Sequence, residues 1–269
     1  LIKLFKDGFC TGHGYLRAPQ SIMSYASLAC IAIQANQNEM HGGQSVPNFD
    51  YSMAPGVAKT YVKEYYDALA QSLAVRLGIG YADACAIAKN IKKELPAPTL
   101  SNADAFEAEL CKWFTQADDK FGLDGKVLVA AHKNAAETAL ASTDKATFQA
   151  MEALVHNLNT MNSRAGAQVP FSSVNYGTDT SPEGRMVMKN LLLATDNGLG
   201  NGETPIFPVQ IFKVKEGINY NPEDPNYDLF RLAIKTSAKR LFPNFSFIDA
   251  PFNLEYYKPG DYNTEVAYM

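Results

Sequence analysis

His156-Asn-Leu-Asn-Thr-Met-Asn-Ser-Arg-Ala-Gly-Ala-Gln-Val-Pro-Phe-Ser-Ser-Val-Asn-Tyr-Gly-Thr-Asp-Thr-Ser-Pro-Glu-Gly-Arg185 joins the end of an apolar-periodic helix to a short strand rich in hydroxyl and amide side chains, and then to a new helix start. Asn159, Asn162, Ser163, Arg164, Gln168, Ser172, Ser173 and Asn175 supply neutral donors and acceptors with one guanidinium. Such a set suits a phosphorylated, polyhydroxylated ligand such as a sugar or nucleotide. Arg164, at the helix-to-strand junction, is placed either to hold a phosphate or carboxylate or to lock the loop by binding carbonyls.

Outward from this stretch the pattern alternates. Phe148, Met151, Val155 and Leu158 mark a helix over about 144–161, with Thr143 or Asp144 as its cap. A strand over 167–176 follows. Thr180-Ser181-Pro182-Glu183 then reads as an N-cap with proline in the first turn of a helix over 181–196, stopped by Asn197-Gly198. Strand 206–214, helix 227–240 and strand 245–249 complete a β-α-β-α-β series, which argues for parallel pairing.

Towards the N-terminus, residues 7–19 form a glycine-punctuated loop. A helix from 19 to about 38 buries Ile22, Tyr25, Ala26, Ala29 and Ile33, and a short strand over 44–51 tolerates Pro47. Gly42-Gly43 either admits a ligand to the backbone or makes a tight turn. Val57, Tyr61, Tyr65, Leu69, Leu73 and Leu77 step by four along a helix over 54–77. Further helices are expected at 81–94, 102–116 and 125–141. The block 54–141 reads as scaffold or interface with a solvated polar face. The expected organisation is one partial catalytic domain: 1–53, the helical block 54–141, helix-strand units over 142–249, and a tail over 250–269 with four tyrosines and no clear period.

Composition narrows the function classes. The chain has 269 residues, 46% apolar and 19% charged, and a net charge of -4, so it reads as globular. An acidic balance argues against a general nucleic-acid or anionic-membrane surface, both of which need clustered basic residues. No run reaches the roughly 18 apolar residues of a membrane span. The four cysteines, Cys10, Cys30, Cys85 and Cys111, form no Cys-x-x-Cys pair and no ligand spacing with the histidines, so a reducing, cytoplasmic setting without zinc or a disulfide in this span is expected. Cys10 and His13 lack an orienting third group for nucleophilic catalysis. Gly198-x-Gly200-x-Gly202 follows a helix and reads as its termination, although Glu203 and Thr204 remain possible ligand contacts. His41, His132 and His156 read as structural groups.

Residues 161–185 resemble the anaerobic, oxygen-sensitive (class III) ribonucleoside-triphosphate reductases. So do Gly12-His13-Gly14 with Arg17 and Pro19, His41-Gly-Gly-Gln-Ser-Val-Pro-Asn-Phe-Asp50, Gly198-Leu-Gly-Asn-Gly-Glu-Thr-Pro-Ile-Phe-Pro208, and Ala238-Lys-Arg-Leu-Phe-Pro-Asn-Phe245. These blocks cover nearly the whole chain in order. The resemblance implies an α/β fold, the first half of a ten-stranded α/β barrel with an inserted helical block, and a tail forming the ascending arm of a central finger loop. It implies thiyl-radical reduction of ribonucleoside triphosphates to 2'-deoxyribonucleoside triphosphates. The glycyl radical is installed by an iron-sulfur, S-adenosylmethionine-dependent activase, and radical and zinc site both lie in a C-terminal part beyond this chain.

The chain reads as an internal piece. Its Ala267-Tyr268-Met269 resembles the start of the fingertip, so the thiyl cysteine is expected just after Met269 and none of the four cysteines inherits a catalytic role. Substrate-binding candidates are Gln44, Asn48, Arg164, Gln168, Phe171, Ser172, Ser173 and Asn175, with Phe171 offering an apolar face. A homodimer with deoxynucleotide or ATP effectors at helices 19–38 and 54–77 brings in Gln34, Lys59 and Lys63. The alternatives are another glycyl-radical enzyme, of the pyruvate formate-lyase or diol-dehydratase kind, and a non-catalytic nucleotide-binding module.

Overall fold

The computed structural model describes residues 1–269 apart from 13, 41, 122–124, 165, 256 and 265–269, and apart from the side chains of 104, 114 and 116–121. The elements in order are α1 (Ile2–Asp7), β1 (Phe9–Cys10), β2 (Tyr15–Leu16), α2 (Ile22–Glu39), β3 (Gln44–Val46), α3 (Phe49–Leu77), α4 (Tyr81–Glu94), α5 (Ala103–Phe121), α6 (Gly125–Thr160), β4 (Ser172–Tyr176), α7 (Pro182–Asn197), β5 (Val209–Val214), α8 (Tyr227–Arg240), β6 (Asn244–Phe247) and α9 (Pro251–Leu254). The chain divides into two compact units: Leu1–Val57 with Ala146–Met269, and Ala58–Lys145.

The larger unit is built on a four-stranded sheet in the order β3-β4-β5-β6, parallel throughout. α7 and α8 cross from β4 to β5 and from β5 to β6, as the alternating pattern predicts, while β3 and β4 are connected through α3 to α6. Ser181 caps α7, its hydroxyl accepting the Gly184 N–H at 3.0 Å, and Gly198 ends it at φ 80°. Arg240 then donates to the last carbonyls of α7, those of Asp196 and Asn197, and to Gly202. The glycine-rich loop after α7 is thus a helix terminus tied to α8.

Three expectations are corrected. The strand over 44–51 stops at Val46, and Phe49–Tyr51 open α3 instead. The reason is tertiary: Phe49 and Asp50 are fully buried, and the Asp50 carboxylate accepts the backbone N–H groups of Gly177, Thr178 and Asp179 at 2.9–3.2 Å. Helices 125–141 and 144–161 are one helix, α6. Thr143 and Asp144 look like caps, but hydroxyl and carboxylate residues cost only tenths of a kcal/mol inside a helix, and neither Gly nor Pro interrupts residues 126–160. Within 7–19, β1 and β2 pair as an antiparallel hairpin rather than an open loop.

The smaller unit is a helical cluster. Tyr61, Tyr65, Leu69 and Leu73 of α3 pack with Ala84, Ala88 and Ile91 of α4, Phe106, Leu110 and Trp113 of α5, and Leu128, Ala131, Ala135 and Ala139 of α6. The alanine row on α6 lets neighbouring helices approach closely. His132 lies in this core, sharing a 2.8 Å hydrogen bond with the Tyr65 hydroxyl, and burial lowers its pKa. It is a structural histidine. Among the described residues no helix is long and apolar enough to cross a membrane.

Candidate functional site

Strand register sorts the sheet into two unlike faces, because side chains alternate and paired residues point the same way. One face carries Val46, Val174, Tyr176, Phe212, Val214 and Phe245. Helices cover it: the Tyr176 hydroxyl donates to Gln210, whose amide donates to Thr195 of α7, and Phe212 stacks on Phe230 of α8. The other face carries Ser45, Ser173, Asn175, Lys213, Asn244 and Ser246, with Val209 and Ile211 among them. A polar face on a parallel sheet is unusual, since such strands are normally apolar on both sides.

On the polar face Asn175 is 2% exposed, and its Oδ1 has no hydrogen-bond partner among the described residues. A buried amide oxygen left unpaired costs about 1–3 kcal/mol, which suits a group awaiting a ligand or water. Lys213 is fully buried, and its ammonium donates to Asn48 Oδ1 at 2.8 Å and sits 6.0 Å from the Tyr51 ring centroid. Asn48 Nδ2 in turn donates to the Tyr262 carbonyl at 3.1 Å. Phe171, on the same side just before β4, is 57% exposed and edge-on to Phe207 at 5.0 Å.

The eight predicted substrate residues therefore separate. Phe171, Ser173 and Asn175 share the polar face, and Asn48 reaches its far end. Ser172 and Gln44 point the other way, with Gln44 Oε1 accepting from Asn36 of α2. Arg164 Nη2 donates to the carbonyls of Gln37 and Met40 at the end of α2, so of its two readings the structure displays the carbonyl lock. Gln168 is exposed, and its carbonyl accepts the Ser163 N–H at 2.7 Å. Asn159 clamps the Ile206-Phe207 backbone, accepting both N–H groups at 2.9 and 3.0 Å. Of the effector candidates, Gln34 and Lys59 are half-buried, whereas exposed Lys63 pairs with Glu64 and Asp67. His13 and His41 lie outside the described residues.

Sequence reasoning missed Lys213, Asn244 and Ser246. A lysine inside a strand with only one other polar residue, Gln210, was the available signal, because lysine is almost never fully buried without a partner.

The remaining groups are quieter. Burial pushes the Cys30 thiol up to about 12, so it behaves as a small hydrophobe. Beside β3 lies a cavity of about 380 Å³ lined by Leu4, Phe9, Cys10, Asn36, Gln44 and Ser45 among others. Its lining is mixed polar and apolar and does not include Asn175. Among the described residues no group of three or more His, Cys, Asp or Glu is arranged to hold a metal.

The model of the anaerobic ribonucleoside-triphosphate reductase family matches residues 1–269. The chain belongs to that family. It is 27% identical over 243 residues to the anaerobic ribonucleoside-triphosphate reductase of Enterobacteria phage T4, covering 90% of this chain and 30% of the phage protein. It is 37% identical over 107 residues to that of Haemophilus influenzae, covering 39% of this chain and 15% of the relative, and 35% identical over 103 residues to that of Escherichia coli, covering 38% and 14%. The chain thus spans less than a third of the length of these reductases. Its parallel sheet with crossover helices is consistent with part of the α/β barrel of this reductase family.

Proposed function

We propose that the chain is part of the catalytic body of an anaerobic ribonucleoside-triphosphate reductase, and that the polar sheet face is wall of its ribonucleotide pocket. The observation that carries this reading is the buried, unpaired Asn175 Oδ1 on a face that also holds Ser173, Asn244 and Ser246. Hydroxyl and amide groups of this kind match ribose hydroxyls, which both donate and accept. Phe171 supplies an apolar rim for sugar or base.

The glycyl radical and the thiyl cysteine it generates supply the hydrogen-atom chemistry from other parts of the protein. This chain's residues bind and orient. Asn175 accepts a ribose hydroxyl, Ser173 makes a second polar contact, and the helix-covered face of the sheet keeps both in register. Gln44, Arg164 and Gln168 shape the loop and strand that carry Phe171. The activase, the zinc site and the homodimer with its deoxynucleotide or ATP effectors belong to the same reading, with Gln34, Lys59 and Lys63 as effector contacts.

Calorimetric titration of the full-length protein with CTP tests the pocket. Asn175→Ala is expected to weaken CTP binding roughly tenfold, the worth of one buried hydrogen bond to a hydroxyl. Binding unchanged by Asn175→Ala and by Ser173→Ala would place the substrate elsewhere.

A further inference from the structure

The tail carries a cluster of tyrosines that neither helix nor strand periodicity explains, and two of them meet the lysines of β5 and its extension. Lys213 and Lys215 lie two residues apart, so both face the polar side. Lys215 Nζ donates to the Tyr257 hydroxyl at 2.7 Å and stands 4.2 Å above that ring. Lys213 reaches the tail through Asn48, which accepts from Lys213 with one end of its amide and donates to the Tyr262 carbonyl with the other. Tyr262 also stacks face to face on Tyr51, with ring centroids 4.3 Å apart and 9° between planes, while the Tyr51 hydroxyl donates to the Thr178 carbonyl at 3.1 Å. Around the two anchor points the tail folds on itself, Thr264 Oγ1 donating to the Asp261 carbonyl at 2.7 Å and accepting the Lys258 N–H at 2.8 Å.

We infer that Lys213 is a positioning residue: through Asn48 it straps the Tyr257–Thr264 arm to the polar face and so sets where the chain beyond it is delivered over the ribonucleotide. This rests on the proposed function above, together with the expectation from the sequence that the thiyl cysteine follows Met269. A fully buried ammonium is expensive unless held, and among its partners is an amide whose second bond is to the arm. Fixing the arm at Tyr257 and again at Tyr262 removes most of the freedom that would otherwise blur the reacting distance, and misplacement by about 1 Å costs on the order of a hundredfold in rate.

The test uses the full-length protein with Lys213→Met, which keeps the length and burial of the side chain, and Tyr262→Ala, which leaves the sheet untouched should the first variant fold poorly. Hydrogen exchange of the peptide covering residues 257–264 reads the strap, and steady-state reduction of CTP with the glycyl-radical signal reads its consequence. Both variants are expected to exchange at least roughly tenfold faster there, to keep the radical yield and the KM for CTP, and to lose kcat by roughly tenfold or more. Tyr262→Phe, which keeps the ring that stacks on Tyr51, is expected to recover the exchange protection. Unchanged exchange in both variants overturns the strap. Faster exchange with undiminished kcat overturns the positioning role, and a raised KM at constant kcat makes Lys213 a substrate contact instead. Absence of dCTP from the wild type would overturn the reductase reading and the positioning role with it, while the exchange rates would still report whether Lys213 holds the arm.

Discussion

At the scale of single residues, the junction where β4 gives way to α7 is governed by buried polar groups. Asp50 holds three consecutive N–H groups, and Asn219 and Asn226 both donate to the Gly177 carbonyl. Replacing Asp50 with Ala leaves those N–H groups buried and unpaired, so a loss of about 3 kcal/mol is expected in chemical denaturation of the full-length protein. Asp179, beside Asp50 and Glu183, has its carboxyl pushed up to about 6, chiefly by burial. A folded pKa above the usual carboxylate value means the fold favours the neutral acid. The stabilisation is present at pH 4 and lost as pH rises through about 6. Asp179→Asn keeps an acceptor for the Ser181 N–H and removes the buried charge. It is expected to raise the melting temperature at pH 7.5 and to flatten the dependence between pH 4 and 6, and a lowered melting temperature at pH 7.5 would contradict this. Gly177 has φ 137°, and a Cβ there would stand 2.5 Å from the Lys213 carbonyl. Gly177→Ala is therefore expected to destabilise by more than the ~1 kcal/mol of an ordinary glycine replacement, read in the same denaturation experiment.

At the scale of elements, the local signals that the sequence carries strongly are the ones the structure displays. The Ser181-Pro182 start and Gly198 stop bound α7, and the stride of four from Tyr61 to Leu73 buries one face of α3. Alternating β and α patterns led to the parallel sheet. What stayed illegible depends on distant contacts. The start of α3 is fixed by the bond from Asp50 to residues 177–179, and the unbroken α6 reflects packing that outweighs the cap-like Thr143-Asp144. The division of candidates between two faces could not be read from composition, because Ser172 and Ser173 are alike as residues and opposite only once β4 is paired. Lys213 hid for the converse reason: the strand around it is apolar enough to look like plain core. The N-cap offers a direct check of element-level reasoning. Ser181→Ala is expected to cost about 1 kcal/mol, and Ser181→Asp to restore it through the same Gly184 N–H, as measured by denaturant titration.

At the scale of the molecule, the sheet packs a mainly apolar face beneath its helices and turns a mainly polar, largely buried face the other way. In the reading proposed above, the covered face holds the strands in register and the polar face binds. The strap from β5 ties that face to the tail, which gives the buried lysine a purpose beyond packing. The family assignment rests on a match along the whole chain. The most direct measurement is electron paramagnetic resonance of the full-length protein after anaerobic treatment with its activase and S-adenosylmethionine, paired with conversion of CTP to dCTP. A glycyl doublet accompanied by dCTP is the result this account predicts. A doublet without nucleotide reduction would point to another glycyl-radical chemistry, and no radical from an intact protein with a competent activase would contradict the account outright.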